Sequence, residues 1–439
     1  MAGSTALARL RIGPERRGIS VAIKFSSISA LEVLDSRGRP TLSVRATLSD
    51  GRQVRSGVPS GASTGSREAK ELRDHDERYG GLGVRKAAAY VNGIIAEELL
   101  SRPFSSLEGL DQTLRQLDGS ADKSLLGANA IVGVSMAAAQ AFAMEAGQPL
   151  WRWLVPDGVT ARLPVPHFNV INGGAHALNG LDFQEFMIAP LGAPSLPEAI
   201  RAGAEVYQRL RASLADLDLS TGLGDEGGFA PQIDGANEAL ALLTKAIEDA
   251  SYTAGRDGVA IALDPAASEF YRDGHYQLGW NSISSDALID HYAELVDRFP
   301  IWSIEDGMGE HDTTGWQKLT ATLGDRLQLV GDDNFVTNPE YIADGVRAGV
   351  ANAVLIKVNQ VGTVTETLDA LKVCRDAGYG AMISHRSGET TDTFIADLAV
   401  ASGCGQIKSG APARGERVAK YNRLLEIDSA APDLAFGLP

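Results

Sequence analysis

The sequence predicts an α/β protein: a barrel of parallel βα units preceded by a smaller α+β domain. Three observations predict it. Short apolar runs of strand length recur through the second half of the chain, each followed by a helical pattern. Those runs end on charged residues: VAIALD on Asp264, IWSIED on Glu305 and Asp306, LQLVGDD on Asp332 and Asp333, AVLIK on Lys357, GAMISHR on His385 and Arg386, and GQIK on Lys408. The first part of the chain lacks this alternation, with strands first and helices after. When parallel strands close into a barrel, their C-terminal ends share one face, so charged strand ends converge on one pocket. Carboxylates come first and two lysines and an arginine later, which suits a metal at the early ends and an anion at the late ones.

A chain of 439 residues is too long for one ordinary core. Three segments are expected: a disordered N-terminal extension over 1–24, an α+β domain over 25–155 and the barrel over 156–439. The extension is basic and acid-poor, with Arg9, Arg11, Arg16 and Arg17, and has no apolar core of a secretory signal. It reads as a disordered tail or a start-site artefact; its shortness and its Gly and Pro interruptions count against a transit peptide. A net charge of −16 argues against nucleic acid as a partner. Cys374 and Cys404, with no CxxC pair, argue against a disulfide framework or a thiolate zinc site and suit a reducing cytoplasm. No apolar stretch reaches the ~20 residues that a membrane helix needs.

In chain order, SISALEVLD and TLSVRATLSDGRQVRS read as strands, the second a hairpin turning at Asp50-Gly51. SGASTG, residues 60–65, is a loop of small residues. AAAYVNGIIAEELL, SLEGLDQTLRQLD and ANAIVGVSMAAAQAFAMEAG are helical, and Pro156, Pro164 and Pro166 mark a junction. FNVI and DFQEFMI follow as strands with little helix between them. A helix over about 196–217 and the loop GLGDEGGFAP come next, then six strand–helix units to the C-terminus. No repeat of fixed period is present, which suits a barrel better than a solenoid.

Each candidate residue has a bland alternative. Asp264, Glu305 and Asp332 taken singly are helix caps or solvated strand ends; three in series, followed by lysine strand ends, point to a divalent cation with oxygen ligands. Lys357 inside LIKVN is either a snorkelling lysine or a base whose pKa falls beside Lys408 and a metal. His385, Arg386 and Ser387 in HRSG, with Lys408, offer a bidentate fork and further donors to an anion. GLGDEG formally matches GxGxxG, but it lacks the strand–turn–helix context and carries two acids that would repel a pyrophosphate. Glu226 is instead an acid displayed on a tight backbone, and Glu185 in FQEFMI is its natural partner, since two close carboxylates keep one protonated. On spacing alone Glu185 could equally face solvent. The SRG and SGASTG loops are linkers by default, with hydroxyls able to close over a phosphate or ligate a metal.

Taken in order, DSRGRPT (35–41), VPSGASTG (58–65), NVINGGAHA (169–177), QEFMIAP (184–190), GDEGGFAP (224–231), LDPAASEF (263–270), SIEDG (303–307), GDDNFVTNP (331–339), KVNQVGT (357–363), SHRSGET (384–390) and GQIKSGAPAR (405–414) resemble the enolase family. The resemblance runs from about residue 25 to 428. It implies a modified (β/α)8 TIM-type barrel whose first units depart from simple βα order. It also implies dehydration of 2-phosphoglycerate to phosphoenolpyruvate with two Mg²⁺ ions per site, in a cytoplasmic homo-oligomer, dimer or octamer. Lys357 matches the base at C2, and Glu226, with Glu185 beside it, the acid at C3. Asp264, Glu305 and Asp332 match ligands of the tighter metal, and Ser36 a loop ligand of the second. His176, Gln184, Glu185, Lys357, His385, Arg386, Ser387 and Lys408 match substrate contacts, and Ser60, Gly61, Ala62, Ser63, Thr64 and Gly65 a closing lid.

The sequence departs from the family pattern at Pro265, Trp302, Asn334 and Thr391, and at Ala175 and Leu178 around His176. These keep open a paralogue acting on a related phosphorylated or phosphonate three-carbon acid, similar to carboxyphosphonoenolpyruvate synthase. A surface-binding protein without catalysis is a weaker reading, because no export signal or terminal lysine is present.

Overall fold

In FSSISALEVL the residues Phe25, Ile28 and Ala30 are buried while Leu31 and Leu34 are exposed, and this run forms β1 (Phe25–Leu34). It pairs antiparallel with β2 (Pro40–Leu48), which pairs with β3 (Gln53–Gly57) through the expected hairpin. This computed structural model describes residues 22–439 apart from Ser63 and Leu178, so most of the expected extension lies outside the described residues. Its last residues belong to the fold: Ile23 is buried and exchanges backbone hydrogen bonds with Phe104. An isoleucine that finds an apolar neighbour and a backbone partner is held in place whatever the charge of the residues before it.

Two longer helices follow, the second packed on the sheet and the first on the second. Helix α1 (Leu107–Asp118) starts where the Ser106 side chain accepts from Gly109 N, and α2 (Ala128–Glu145) is buried over most of its length. The Ala-rich composition of α2 lets it lie close on β2 and β3. At Gly133 a Cβ would stand 2.7 Å from Val44 Cγ2, so the approach requires glycine.

The second part of the chain closes an eight-stranded barrel. Its strands are β4 (Val165–Asn172), β5 (Glu185–Ala189), β6 (Ala260–Asp264), β7 (Ile301–Glu305), β8 (Gln328–Gly331), β9 (Ala353–Ile356), β10 (Gly380–Ser384) and β11 (Gln406–Lys408). The ring runs β7-β8-β9-β10-β11-β4-β5-β6. Helices α3 (Leu196–Asp216) and α4 (Gly235–Asp249) separate β5 from β6. Helices α5 (Ser285–Arg298), α6 (Thr313–Leu323), α7 (Pro339–Ala348), α8 (Val364–Ala377), α9 (Phe394–Ser402) and α10 (Gly415–Ala430) follow the next six strands. Strands such as AVLI are buried throughout, as strands covered on both faces must be.

One strand breaks the rule. β5 runs antiparallel to both β4 and β6. The connection from β4 to β5 carries no crossover helix, and without one two neighbouring strands pair antiparallel. Glu185 therefore stands at the start of its strand yet at the same barrel mouth as Asp264, its register partner.

The loops leaving the strands hold non-glycine residues in the left-handed region: Ala266 (φ 50), Asp306 (φ 42), Val336 (φ 43) and Thr337 (φ 55). Each costs on the order of 1–3 kcal/mol and persists where surrounding contacts demand it. Sequence reading missed a small antiparallel sheet after β6, formed by Tyr271–Arg272, His275–Leu278 and Asn281–Ile283.

Candidate active site

The charged strand ends meet at one end of the barrel and are paired mostly with one another. The Lys408 ammonium is 3.1 Å from Glu185, 3.1 Å from Asp264 and 2.8 Å from Glu305. Burial works against its charge, but those carboxylates outweigh burial and hold its pKa well above the ordinary lysine value. The Lys357 ammonium hydrogen-bonds Asp332 Oδ2. Set by the protein's own groups alone, its pKa is raised: burial pushes it down, and the neighbouring Asp332 carboxylate more than reverses that.

Arg386 is also paired. Its two terminal nitrogens each lie 3.0 Å from a Glu68 oxygen, a bidentate pair in which both side chains are buried. Glu68 also accepts from Gln360 Nε2 at 3.2 Å and from Gly65 N at 3.2 Å, and Gln360 Nε2 donates to Asp332 Oδ1 at 2.8 Å. A carboxylate from the N-terminal domain thus joins the expected lid, the expected anion-binding arginine and the expected metal ligand. Sequence reasoning missed it.

The expected lid is pinned at both ends. Ser60 is buried and exchanges backbone hydrogen bonds with Gly388, and Gly65 is buried on the Glu68 side. Ala62 and Thr64 are exposed, Gly61 is half-buried, and Ser63 lies outside the described residues. Ser60 and Gly65 are the anchors of this loop.

Across the mouth lies an acid–imidazole cluster. His176 Nδ1 is 3.8 Å from Glu185 Oε1, and its Nε2 is 3.7 Å from Glu226 Oε1. His385 Nε2 is 3.2 Å from Glu226 Oε2 without hydrogen-bonding it, and Asn169 Nδ2 donates to the same oxygen at 3.0 Å. The two carboxyls are split in the expected sense. Burial and then the Glu226 charge raise Glu185 well above the carboxylate range. Burial would raise Glu226 too, but His385, His176 and Arg417 bring it well below. Burial and the neighbouring charges thus push Glu185 toward its protonated form and Glu226 toward its carboxylate. Glu226 sits in the glycine-rich turn as expected, where Gly227 takes φ 87 and the Glu226 carbonyl accepts from Ala411 N.

Gln184 is buried beside these groups with its Oε1 unpartnered. Ser387 is buried and its hydroxyl accepts from Arg37 Nη1 at 3.3 Å. Ser36 is engaged elsewhere: its hydroxyl lies 3.4 Å from Ser387 O, accepts from Glu389 N at 3.1 Å and is 3.4 Å from Arg417 Nη2. These contacts set it into the 387–389 loop rather than among the carboxylates, so its expected role as a metal ligand has no support in the geometry.

The donor set fits a hard divalent cation. Glu305 Oε2 is buried and unpartnered, and its carboxyl is raised well above normal by burial and then by Asp264. Asp306, Asp332 and Asp333 each place an oxygen within 4.8 Å of the others. Asp306 was missed as a member of this group. Its carboxylate accepts from Asp332 N at 2.8 Å and Asp333 N at 3.1 Å, which shapes the strand-end turn. Crowded, buried, oxygen-only acids are the environment in which a divalent cation relieves the most repulsion.

The departures have different surroundings, and Pro265 and Ala175 are chain neighbours of Asp264 and His176. Trp302 occupies a register break in β7 and packs with Val165, Met187, Ala189, Ala260 and Ala262 inside the barrel. Ala175 and Thr391 are exposed, Pro265 is buried, and Leu178 lies outside the described residues. Asn334 is buried next to Asp333, with both side-chain polar atoms unpartnered. Among the described residues no helix is long and apolar enough to cross a membrane.

Comparison with known families agrees with this architecture. Residues 25–154 match the family described as enolase, N-terminal domain, and residues 160–436 match enolase, C-terminal TIM barrel domain. With both domains matched in order over nearly all of its length, the chain belongs to the enolase family, a family of metal-dependent lyases.

Proposed function

We propose that this chain dehydrates 2-phosphoglycerate to phosphoenolpyruvate. One observation carries the reading: β9, which Lys357 directly follows, and β5, which begins at Glu185, are four places apart in a closed ring of eight strands. The amine and the carboxyl pair therefore face each other across the mouth. That suits a reaction in which a proton leaves one carbon and hydroxide leaves the next from the opposite side. Lys357 takes the C2 proton as a neutral amine. Glu185, the carboxyl that keeps its proton, supplies it to the departing C3 hydroxyl, with Glu226 and His176 completing the relay. The C2–H electron pair becomes the new double bond, and hydroxide plus the acid's proton leave as water.

Lys408 lies where a substrate carboxylate would develop charge, and Arg386 with Ser387 offers donors to the phosphate. His176, Gln184 and His385 line the same space. Asp264, Glu305 and Asp332 would hold a Mg²⁺ ion, and the family resemblance implies a second; when bound, such cations neutralise charge that builds on the substrate carboxylate. The same charge at Asp332 offsets the carboxylate that now raises the Lys357 pKa. The tip of the 60–65 loop would exclude water once substrate is in place.

The test is direct: purified protein, 2-phosphoglycerate and Mg²⁺, with phosphoenolpyruvate followed by its ultraviolet absorbance and an EDTA control. EDTA-sensitive product supports the proposal, and no product from folded, Mg²⁺-binding protein refutes it. In that case the buried, unpartnered Asn334 amide beside Asp333 favours a second reading, a related phosphorylated or phosphonate three-carbon acid. A cytoplasmic homo-oligomer, dimer or octamer, belongs to the same proposal and is checked by sedimentation and cell fractionation.

A further inference from the structure

Arg417 was not singled out by sequence reasoning, yet it is fully buried and touches three of the loops that build the site. Its Nη1 lies 2.6 Å from His385 Nδ1 and donates to Arg386 O at 2.6 Å. Its Nη2 donates to Ser387 O at 2.6 Å and Asp225 O at 3.2 Å. A guanidinium has donors only, so the His385 nitrogen that faces it must be an acceptor. With Nδ1 unprotonated, a neutral His385 carries its hydrogen on Nε2, the atom 3.2 Å from Glu226 Oε2.

We infer that Arg417 is a positioning residue that locks His385 into the Nε2–H tautomer, with that hydrogen on the Glu226 side of the ring. The inference rests on the function proposed above only for its catalytic consequence. A second proton on Nδ1 would have to point at the guanidinium, so the ring is also barred from the doubly protonated form. Burial acts in the same direction, with the His385 pKa pushed down to about 4. The groups that face the ring are Glu226, Arg417 and Glu389, and of these Glu226 lies on the Nε2 side. The lock matters because the atom 3.2 Å from Glu226 Oε2 is then always a potential donor, although it makes no hydrogen bond in this structure. Glu226 stays ionised, and the proton of the acid pair resides on Glu185. Were His385 to flip its tautomer, Nε2 would present a lone pair to Glu226, and the carboxyl would have to take up a proton to pair with it. The relay would then start from the wrong member.

The experiment uses full-length protein labelled with ¹⁵N-histidine, His385 being assigned by its loss in His385→Gln. Two-bond ¹H–¹⁵N spectra of the wild-type protein should show His385 protonated on Nε2 alone. A ring protonated on Nδ1 overturns the inference, whatever the turnover and without any variant. In Arg417→Met the Nδ1–H form should appear and kcat should fall about 10- to 100-fold, the usual effect of removing a group that orients a functional side chain. The same substitution in His385→Gln should cost much less. An equal loss in both backgrounds means that Arg417 only braces the loops, and overturns the inference. Arg417→Lys is the second variant, because a lysine can still satisfy the Arg386 and Ser387 carbonyls. It should restore folding, and His385 should remain Nε2–H only to the extent that the ammonium reaches Nδ1. Wild-type protein that is inactive on 2-phosphoglycerate but shows the Nε2–H ring refutes the function and leaves the lock supported.

Discussion

Glu68→Gln tests whether the Arg386 fork is held by a protein carboxylate that substrate must displace. The two side chains are 8% and 2% exposed, and both guanidinium nitrogens lie 3.0 Å from carboxylate oxygens. Removing one member of such a buried pair typically costs about 3–5 kcal/mol. The lower end is expected here, because Arg386 also donates to Asn359 Oδ1 at 3.1 Å and glutamine keeps one acceptor oxygen. The amide also places an NH₂ where an oxygen met the guanidinium, so donor faces donor. Urea denaturation of wild-type and variant should therefore differ by about 3 kcal/mol in ligand-free protein. Inorganic phosphate should narrow that gap. In the wild-type chain an anion at Arg386 competes with Glu68; in the variant it does not. Each ~1.4 kcal/mol of released competition tightens phosphate binding about tenfold, and phosphate at 100 times Kd stabilises by about 2.7 kcal/mol. Equal stability of the two proteins, or equal stabilisation of both by phosphate, would refute the reasoning.

The remaining predictions concern the base, the metal and a buried acid remote from both. Lys357→Ala should abolish phosphoenolpyruvate formation while Mg²⁺ affinity by calorimetry stays near wild-type, because the lysine pairs with Asp332 without being a ligand; full retained activity would exclude it as the base. Asp332→Asn should lose Mg²⁺ affinity first and activity with it, so an unchanged Mg²⁺ dependence of rate counts against its role. Asp111 is buried where α1 meets the start of α8, bonded to Thr365, and burial pushes its carboxyl from 3.8 up to about 6. Between those values the unfolded chain has released the proton and the folded chain still holds it, so stability falls as pH rises, and the full cost, about 3 kcal/mol, is present above about pH 6. Asp111→Asn should therefore gain on wild-type as pH is raised from about 4 to about 7 in denaturation curves, and a pH-independent difference would contradict the burial argument.

What was legible in the sequence had a local signal. Barrel strands must be apolar along their length and end where the chain turns out, so a charged residue after AVLI or AIAL announces a strand end and a mouth. Glu185 was harder, because its own run does not say which way it points. The missing helix between FNVI and QEFMI was the clue, since it makes β5 antiparallel and brings the first residue of that strand to the mouth. Glu68 and Arg417 had no comparable signal. Glu68 sits in SREAKELRD, which reads as a solvated charge run, and its partner is 318 residues away. Arg417 lies in the first turn of an amphipathic helix, where arginine is ordinary, and only the third dimension turns it inward. Ser36 shows the converse error: a serine in a small-residue loop invites a ligand role, but hydrogen bonds to a neighbouring loop had already claimed it.

The pairing of opposite charges at the mouth explains why a chain can fold around so many buried acids. Glu68, Glu185, Glu226, Asp264, Glu305, Asp306 and Asp332 are all nine-tenths or more buried, and the cations among them are Lys408, Arg386, Arg417 and, half-buried, Lys357. Isolated, each charge would cost several kcal/mol to bury. Lys408 spreads its charge over three carboxylates, Lys357 takes Asp332 and Arg386 takes Glu68, while Glu185, Glu305 and Asp306 are raised well above the carboxylate range. The acids still outnumber the cations. That surplus is what a divalent ion neutralises, and neutralising it frees the amines for another anion. On the function proposed above, a cation that takes over Asp264, Glu305 and Asp332 would release Lys408 and Lys357 toward the substrate, so the two ligands should bind with positive cooperativity. Independent binding of Mg²⁺ and phosphate ester, measured by titrating each in the presence of the other, would break that link.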